Sequence, residues 1–208
     1  MNCYQAALLV SILGLVGSAP LSEKRDSMDS TLIVYAHSFI SKILKEIPTA
    51  HASWIKSPSL KLGSSVQLQY LKENLIPPAP VLESISENFT LEICLDRMFK
   101  GLKLHVNLLT EISEVNKLKQ TEQVAELQVD IGELLSLINE MQTEAGFERS
   151  VEAPQHDHTE KSPYITQVAA HLTLEQLQVF SCDVLRSILA IRDMTSGPSN
   201  AEDLEQCP

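Results

Sequence analysis

The sequence predicts an all-α protein, a long-chain four-helix bundle with up-up-down-down order and two long crossover loops. Three observations lead there. Apolar residues recur at spacings of three and four in four separate segments, and β-type alternation persists nowhere. Pro is absent from 81 to 153, whereas Pro48, Pro58, Pro77, Pro78 and Pro80 crowd the stretch before it. The spaces between the four segments are long, short and long.

Helix A is expected over about residues 30–47. Asp29 or Ser30 caps it, Pro48 ends it, and Leu32, Tyr35, Phe39, Ile43 and Ile47 form its buried face. Helix B spans about 90–115. Leu91, Leu95, Met98, Leu102 and Leu109 face inward, with Cys94 and His105 at the margin. Helix C spans about 121–145, on a stripe of Val124, Leu127, Ile131, Leu134, Ile138 and Met141, and Gly146 stops it. Helix D spans about 163–194. Ser162 caps it, Pro163 takes its first position, and Leu177, Phe180, Val184, Ile188 and Ile191 are buried. A polar, mobile tail is expected over 195–208.

A helix of 25 residues is roughly 37 Å long. The B–C connection, about five residues over 116–120, joins only neighbouring ends, so B and C run antiparallel. The A–B connection has about 42 residues and the C–D connection about 17, which stretch to roughly 55 Å in the second case. Both are long enough to travel the whole bundle, as two overhand crossovers require.

Composition narrows the function. Of 208 residues, 27 are acidic and 16 are Lys or Arg, a formal charge of -11. That balance argues against nucleic acid and against an anionic membrane surface as partners. With 7 Gly in the chain, phosphate-binding glycine loops have little material. HExxH and GxSxG motifs are absent, so no catalytic residue, metal or cofactor is expected. His156 and His158 flank Asp157 in the C–D loop and read as loop residues rather than metal ligands.

The apolar run over residues 6–16 matches the h-region of a signal peptide and is too short to span a bilayer. Val16 and Ser18 suit signal-peptidase cleavage, which divides the chain into a signal peptide, 1–18, and a domain, 19–208. The n-region departs from the usual pattern in having no Lys or Arg. The expectation is a secreted, extracellular protein, monomeric when free, with no membrane insertion. In that compartment Asn88-Phe89-Thr90 is a usable N-glycosylation sequon at Asn88. Cleavage leaves Cys94, Cys182 and Cys207, an odd number. Cys94 is expected as a buried free thiol. Cys182, read as the more accessible helical thiol, is expected to pair with Cys207 on the tail.

On helix C, Glu126, Asp130, Glu133, Leu137, Glu140 and Glu144 follow at steps of three or four and read as one solvent-facing stripe. Two readings of the molecule other than a signal protein remain open at this point: a secreted enzyme, and a helical lipid carrier, which needs an oversized apolar interior.

Several segments resemble a known family. Ser38-Phe39-Ile40-Ser41-Lys42, Leu75-Ile76-Pro77-Pro78-Ala79-Pro80, Cys94-Leu95 followed by Gly101-Leu102-Lys103-Leu104-His105, and Leu127-Gln128-Val129-Asp130-Ile131 resemble the interleukin-6 and granulocyte colony-stimulating factor cytokines. They fall in the same order and at similar spacing, closest to fish-like forms of the granulocyte factor. The resemblance covers about 38–191. It implies a secreted growth factor that binds and clusters a class I cytokine receptor on the cell surface and drives proliferation of granulocyte precursors in the immune response. An interleukin-6-like immune cytokine is the alternative. It also implies a receptor-binding face on helices A and C, with Asp130 and Glu133 as its acidic residues and Lys42 as its basic one, and the stripe residues Glu126 and Leu137, the latter an apolar anchor between charges, are read as part of that face. The family's acidic residue three positions after Lys42 falls on Lys45 here, with Glu46 adjacent. A second contact, on the start of helix D, carries over to Tyr164. Of the small disulfides in the mammalian protein only the Cys94 position is matched. Packing of Trp54, Leu68, Leu71, Leu75 and Ile76 is therefore expected to hold the A–B loop.

Overall fold

The computed structural model describes residues 28–63, 68–114, 118–148, 162–196 and 207. The expected signal peptide, the His156–His158 pair and all of the tail beyond Ser196 except Cys207 lie outside the described residues. The described chain is helical: α1 (Ser30–Trp54), α2 (Gln69–Leu75), α3 (Leu91–Glu114), α4 (Glu122–Glu144) and α5 (Pro163–Ser196). Helices α1, α3, α4 and α5 form a four-helix bundle, and α2 is a short helix within the first crossover.

Contacts along the helices set the directions. On α1 and α4, Asp29 N–H meets the Glu144 carboxylate at 3.0 Å, Lys42 meets Asp130, and the Ser53 and Thr121 hydroxyls lie 2.8 Å apart. Sequence number rises on α1 as it falls on α4, so the two are antiparallel. The same holds for α1 and α5, where His51 contacts His171 and the Lys56 amide bonds Gln167. Helix α3 packs on α4 through Thr110 and Gln128, and the seven residues between Glu114 and Glu122 are too few to travel the length of a helix, so this pair is antiparallel too. Helix α3 is antiparallel to α5 because Gly101 lies against Phe180 while Cys94 lies against Ser187. Hence α1 runs parallel to α3, and α4 to α5, which is the up-up-down-down order.

Helix α4 follows its expected stripe: Val124, Leu127, Ile131, Leu134, Ile138 and Met141 are fully buried. Its end is a Schellman cap. Gly146 takes φ 75°. The Phe147 amide bonds Gln142 O at 2.9 Å, and the Gly146 amide bonds Thr143 O at 3.1 Å. Beside it, at the same end of the bundle, Asp29 caps α1, its Oδ1 accepting from the Thr31 amide at 2.8 Å. The α5 face of Leu177, Phe180, Val184, Ile188 and Ile191 is buried as expected.

Helix α1 differs from expectation in two ways. It does not end at Pro48 but continues to Trp54. Pro48 is exposed, and losing one bond to the Leu44 carbonyl is outweighed by burying Ala50, His51 and Trp54 in the next two turns. Its inward face is also rotated. Tyr35 is 55% exposed and Phe39 only packs against the core's edge, while Ile33, Ala36, Ile40, Ile43 and Ile47 fill it. Both frames have helical spacing. The observed one places compact side chains at the crowded α1–α4–α5 junction.

On α3, Cys94 and His105 are not marginal but fully buried. His105 stays in the core because Nδ1 bonds the Gly101 carbonyl at 2.7 Å and the ring stacks on Phe180 at 5.5 Å. The first crossover is held as expected by Trp54 and Ile76, both buried, with Leu68, Leu71 and Leu75 packed on the core. Cys182 and Cys207 form a disulfide and Cys94 is free. Cys182 is 2% exposed, so its expected accessibility is corrected: it lies in the α5 interior, and Cys207 packs over it.

Candidate functional site

The outer face shared by α1 and α4 carries most of the residues singled out in the sequence. On α4 the expected acidic stripe divides. Glu126, Glu133, Glu140 and Glu144 are exposed. Asp130 is 5% exposed and turned toward Lys42 of α1, and Leu137 is half-buried against the core. The expectation that Asp130 lies in a solvent-facing row is corrected. A helix turns about 100° per residue, so seven-residue steps keep the glutamates aligned, whereas Asp130 falls on the flank that meets α1.

Asp130 is buried because Lys42 reaches it. Lys42 Nζ lies 2.8 Å from the Asp130 carboxylate and 3.5 Å from Glu46 Oε1. That hydrogen bond to Asp130 raises the Lys42 pKa above its usual value, more than partial desolvation lowers it. Glu46, one turn further along α1, is pushed up to about 7. Burial is the main cause, with the neighbouring Asp130 carboxylate next and Lys42 opposing. The lysine charge thus sits between two carboxylates, and burial draws Glu46 toward its protonated form. The cluster is a paired set of charges, not a row of repelling carboxylates.

Around the cluster the surface is mixed. Lys45 is exposed on α1. Val34 and Tyr35, exposed two turns toward the start of α1, and Val129, 63% exposed on α4, add apolar area. Tyr35 escapes sequence reasoning because its spacing also fits a core frame. The run of Ile33, Ile40, Ile43 and Ile47 is the signal for the other frame, since aliphatic side chains fill a helix junction with no hydroxyl to satisfy.

The remaining candidates stand apart. Tyr164 is exposed in the first turn of α5, at the end of the bundle where α1 finishes. Asn88 is exposed at the opposite end, before α3. Its neighbour Phe89 is buried under Arg97, whose guanidinium lies 5.1 Å from the ring centroid. The sequon thus sits on an anchored turn with the asparagine side chain outward. Among the described residues no group of three or more His, Cys, Asp or Glu is arranged to hold a metal ion. No helix among them is long and apolar enough to cross a membrane.

No family model matches the chain, and no curated protein matches it.

Proposed function

We propose that the chain is a secreted cytokine that binds a class I cytokine receptor of the granulocyte-factor branch and signals by bringing receptor chains together. The observation that carries the reading is the topology. Parallel α1 and α3 joined by a long crossover are the arrangement of the long-chain cytokine bundles, and the segments resembling that family fall on α1, the crossover, α3 and α4. Fold alone supports many functions, so the site must carry the rest. The α1–α4 face presents Lys45, Glu126 and Glu133 to solvent around Lys42 and the half-buried Leu137. Charged groups around a partly apolar centre suit a partner surface that is steered in and then desolvated. Asp130 and Glu46 serve this face from beneath, by holding Lys42 in place. Tyr164 provides a second, separate contact, and Asn88 carries glycan away from both.

Interior packing weighs against a lipid carrier. The bundle centre is filled by fully buried Ile40, Leu95, Leu102, Leu127, Ile131 and Leu134. The test is receptor phosphorylation in cells bearing either the granulocyte-factor or the interleukin-6 receptor. The granulocyte-factor cells should respond to the purified protein. A response confined to interleukin-6 receptor cells would move the protein to that branch, and silence in both with uptake of a fluorescent fatty acid would replace the reading with a carrier.

A further inference from the structure

The end of the bundle where α1 finishes and α5 begins is closed by two histidines. His51 Nε2 and His171 Nδ1 lie 2.9 Å apart, with the rings edge-on at 69°. His51 is 7% exposed and His171 is fully buried, and His171 Nε2 has no hydrogen-bond partner. The contact joins the last turn of α1 to α5, beside the Lys56 amide bond to Gln167 Oε1 at 2.7 Å. From there the first crossover departs, and the Gly63 amide bonds the Glu175 carboxylate at 3.2 Å.

Chemistry makes this contact depend on protons. With both rings neutral, one facing nitrogen carries hydrogen and the other accepts it. A first added proton goes to an outer nitrogen and leaves the bond intact, but it buries a charge. A second sets N–H against N–H and breaks the bond. The charged group acting on both rings is Glu175, one turn from His171 on α5, whose carboxylate favours protonation. Lys56 of the crossover and Glu122 at the start of α4 stand exposed at the same end.

We infer that the His51–His171 contact is an acid-opened latch, which holds the end of α1 and the start of the crossover on α5 at neutral pH and releases them under mild acid. Burial is the chief cause that lowers both imidazoles, His51 to about 4, with Glu175 only partly offsetting it. A freed His51 regains an ordinary value near 6.5. Stability from such a group is complete above 6.5 and is lost as pH falls toward 4. At pH 5.5 the open form gains about tenfold from His51, and more from His171. The latch does not depend on which partner the protein binds.

Hydrogen exchange on the full chain at pH 7.0 and 5.5, corrected for the intrinsic rate, tests this. Protection over residues 48–56 and 163–172 should fall at least about tenfold at pH 5.5, and that over 127–141 of α4, which contains no histidine, should fall far less. The double variant His51→Gln with His171→Gln should lose the selective fall. Equal loss in all three segments, no loss, or an unchanged fall in the double variant would overturn the latch. If the double variant does not fold, ring titration of the wild type decides. Both imidazoles titrating near 6.5 without a change in protection would also overturn it.

Discussion

Asp130 sits where a lone carboxylate is costly, and Lys42 makes the position tenable. Removing one partner of a buried ion pair leaves the other without its compensation, whereas the glutamates one turn away carry no such burden. Asp130→Lys would set an ammonium against Lys42 in a buried position, so it reports on folding and not on binding. Glu133→Lys changes charge at an exposed position and is the clean substitution. Glu46 gives a test with a definite sign. Its folded pKa, about 7, lies above the 4.5 of a free glutamate, so its contribution to stability is complete below 4.5 and lost as pH rises through 7. Glu46→Gln mimics the protonated form. It should raise stability at pH 8 by about 1–3 kcal/mol and leave it nearly unchanged at pH 4.5, read as urea midpoints. Equal effects at both pH values would show that Glu46 titrates normally. None of this was legible in the sequence. Asp130 reads as one more member of an acidic run, and only the rotation of α4 against α1 distinguishes it.

At the scale of elements, the α4 stripe, the Gly146 cap and the Ser162–Pro163 start were legible because each depends on residues a turn apart. Pro48 was not, because its local cost is opposed by burial of Trp54, which no neighbouring residue announces. Pro48→Ala restores a backbone donor at an exposed position and should stabilise α1 by about 1–3 kcal/mol, seen as a higher Tm. A lower Tm would mean that the backbone geometry Pro48 imposes is needed to seat Trp54. The α3–α5 contact depends on Gly101 in the opposite sense. A Cβ there would fall within 2.7 Å of three Phe180 ring atoms. Gly101→Ala should cost about 1–3 kcal/mol of stability, and Phe180→Leu in the same chain should recover part of it. No recovery would place the strain elsewhere than on the ring. The sequence showed a glycine within a helix but not what presses against it.

Across the whole molecule, loop length did more than helix propensity to reveal the architecture. The short α3–α4 connection forces one antiparallel pair, and the two long connections allow the parallel ones; the contacts of Asp29, Lys42, Ser53 and Gln128, with those of His51 and Gly101 on α5, then fix all four directions. What the sequence could not convey is which outward residues are free, because that follows from how each helix is rolled about its own axis. The free residues of the α1–α4 face are where the cytokine reading places its receptor contact. Its most direct test is the association rate of purified protein with the immobilised extracellular part of the granulocyte-factor receptor, comparing wild type with Glu133→Lys at low and physiological salt. The wild type should bind, with an on-rate that falls as salt is added. Glu133→Lys should keep its helicity and Tm while associating at least about tenfold more slowly at low salt. A correctly folded Glu133→Lys protein that associates as fast as wild type, with the same salt dependence, would contradict a receptor site on this face.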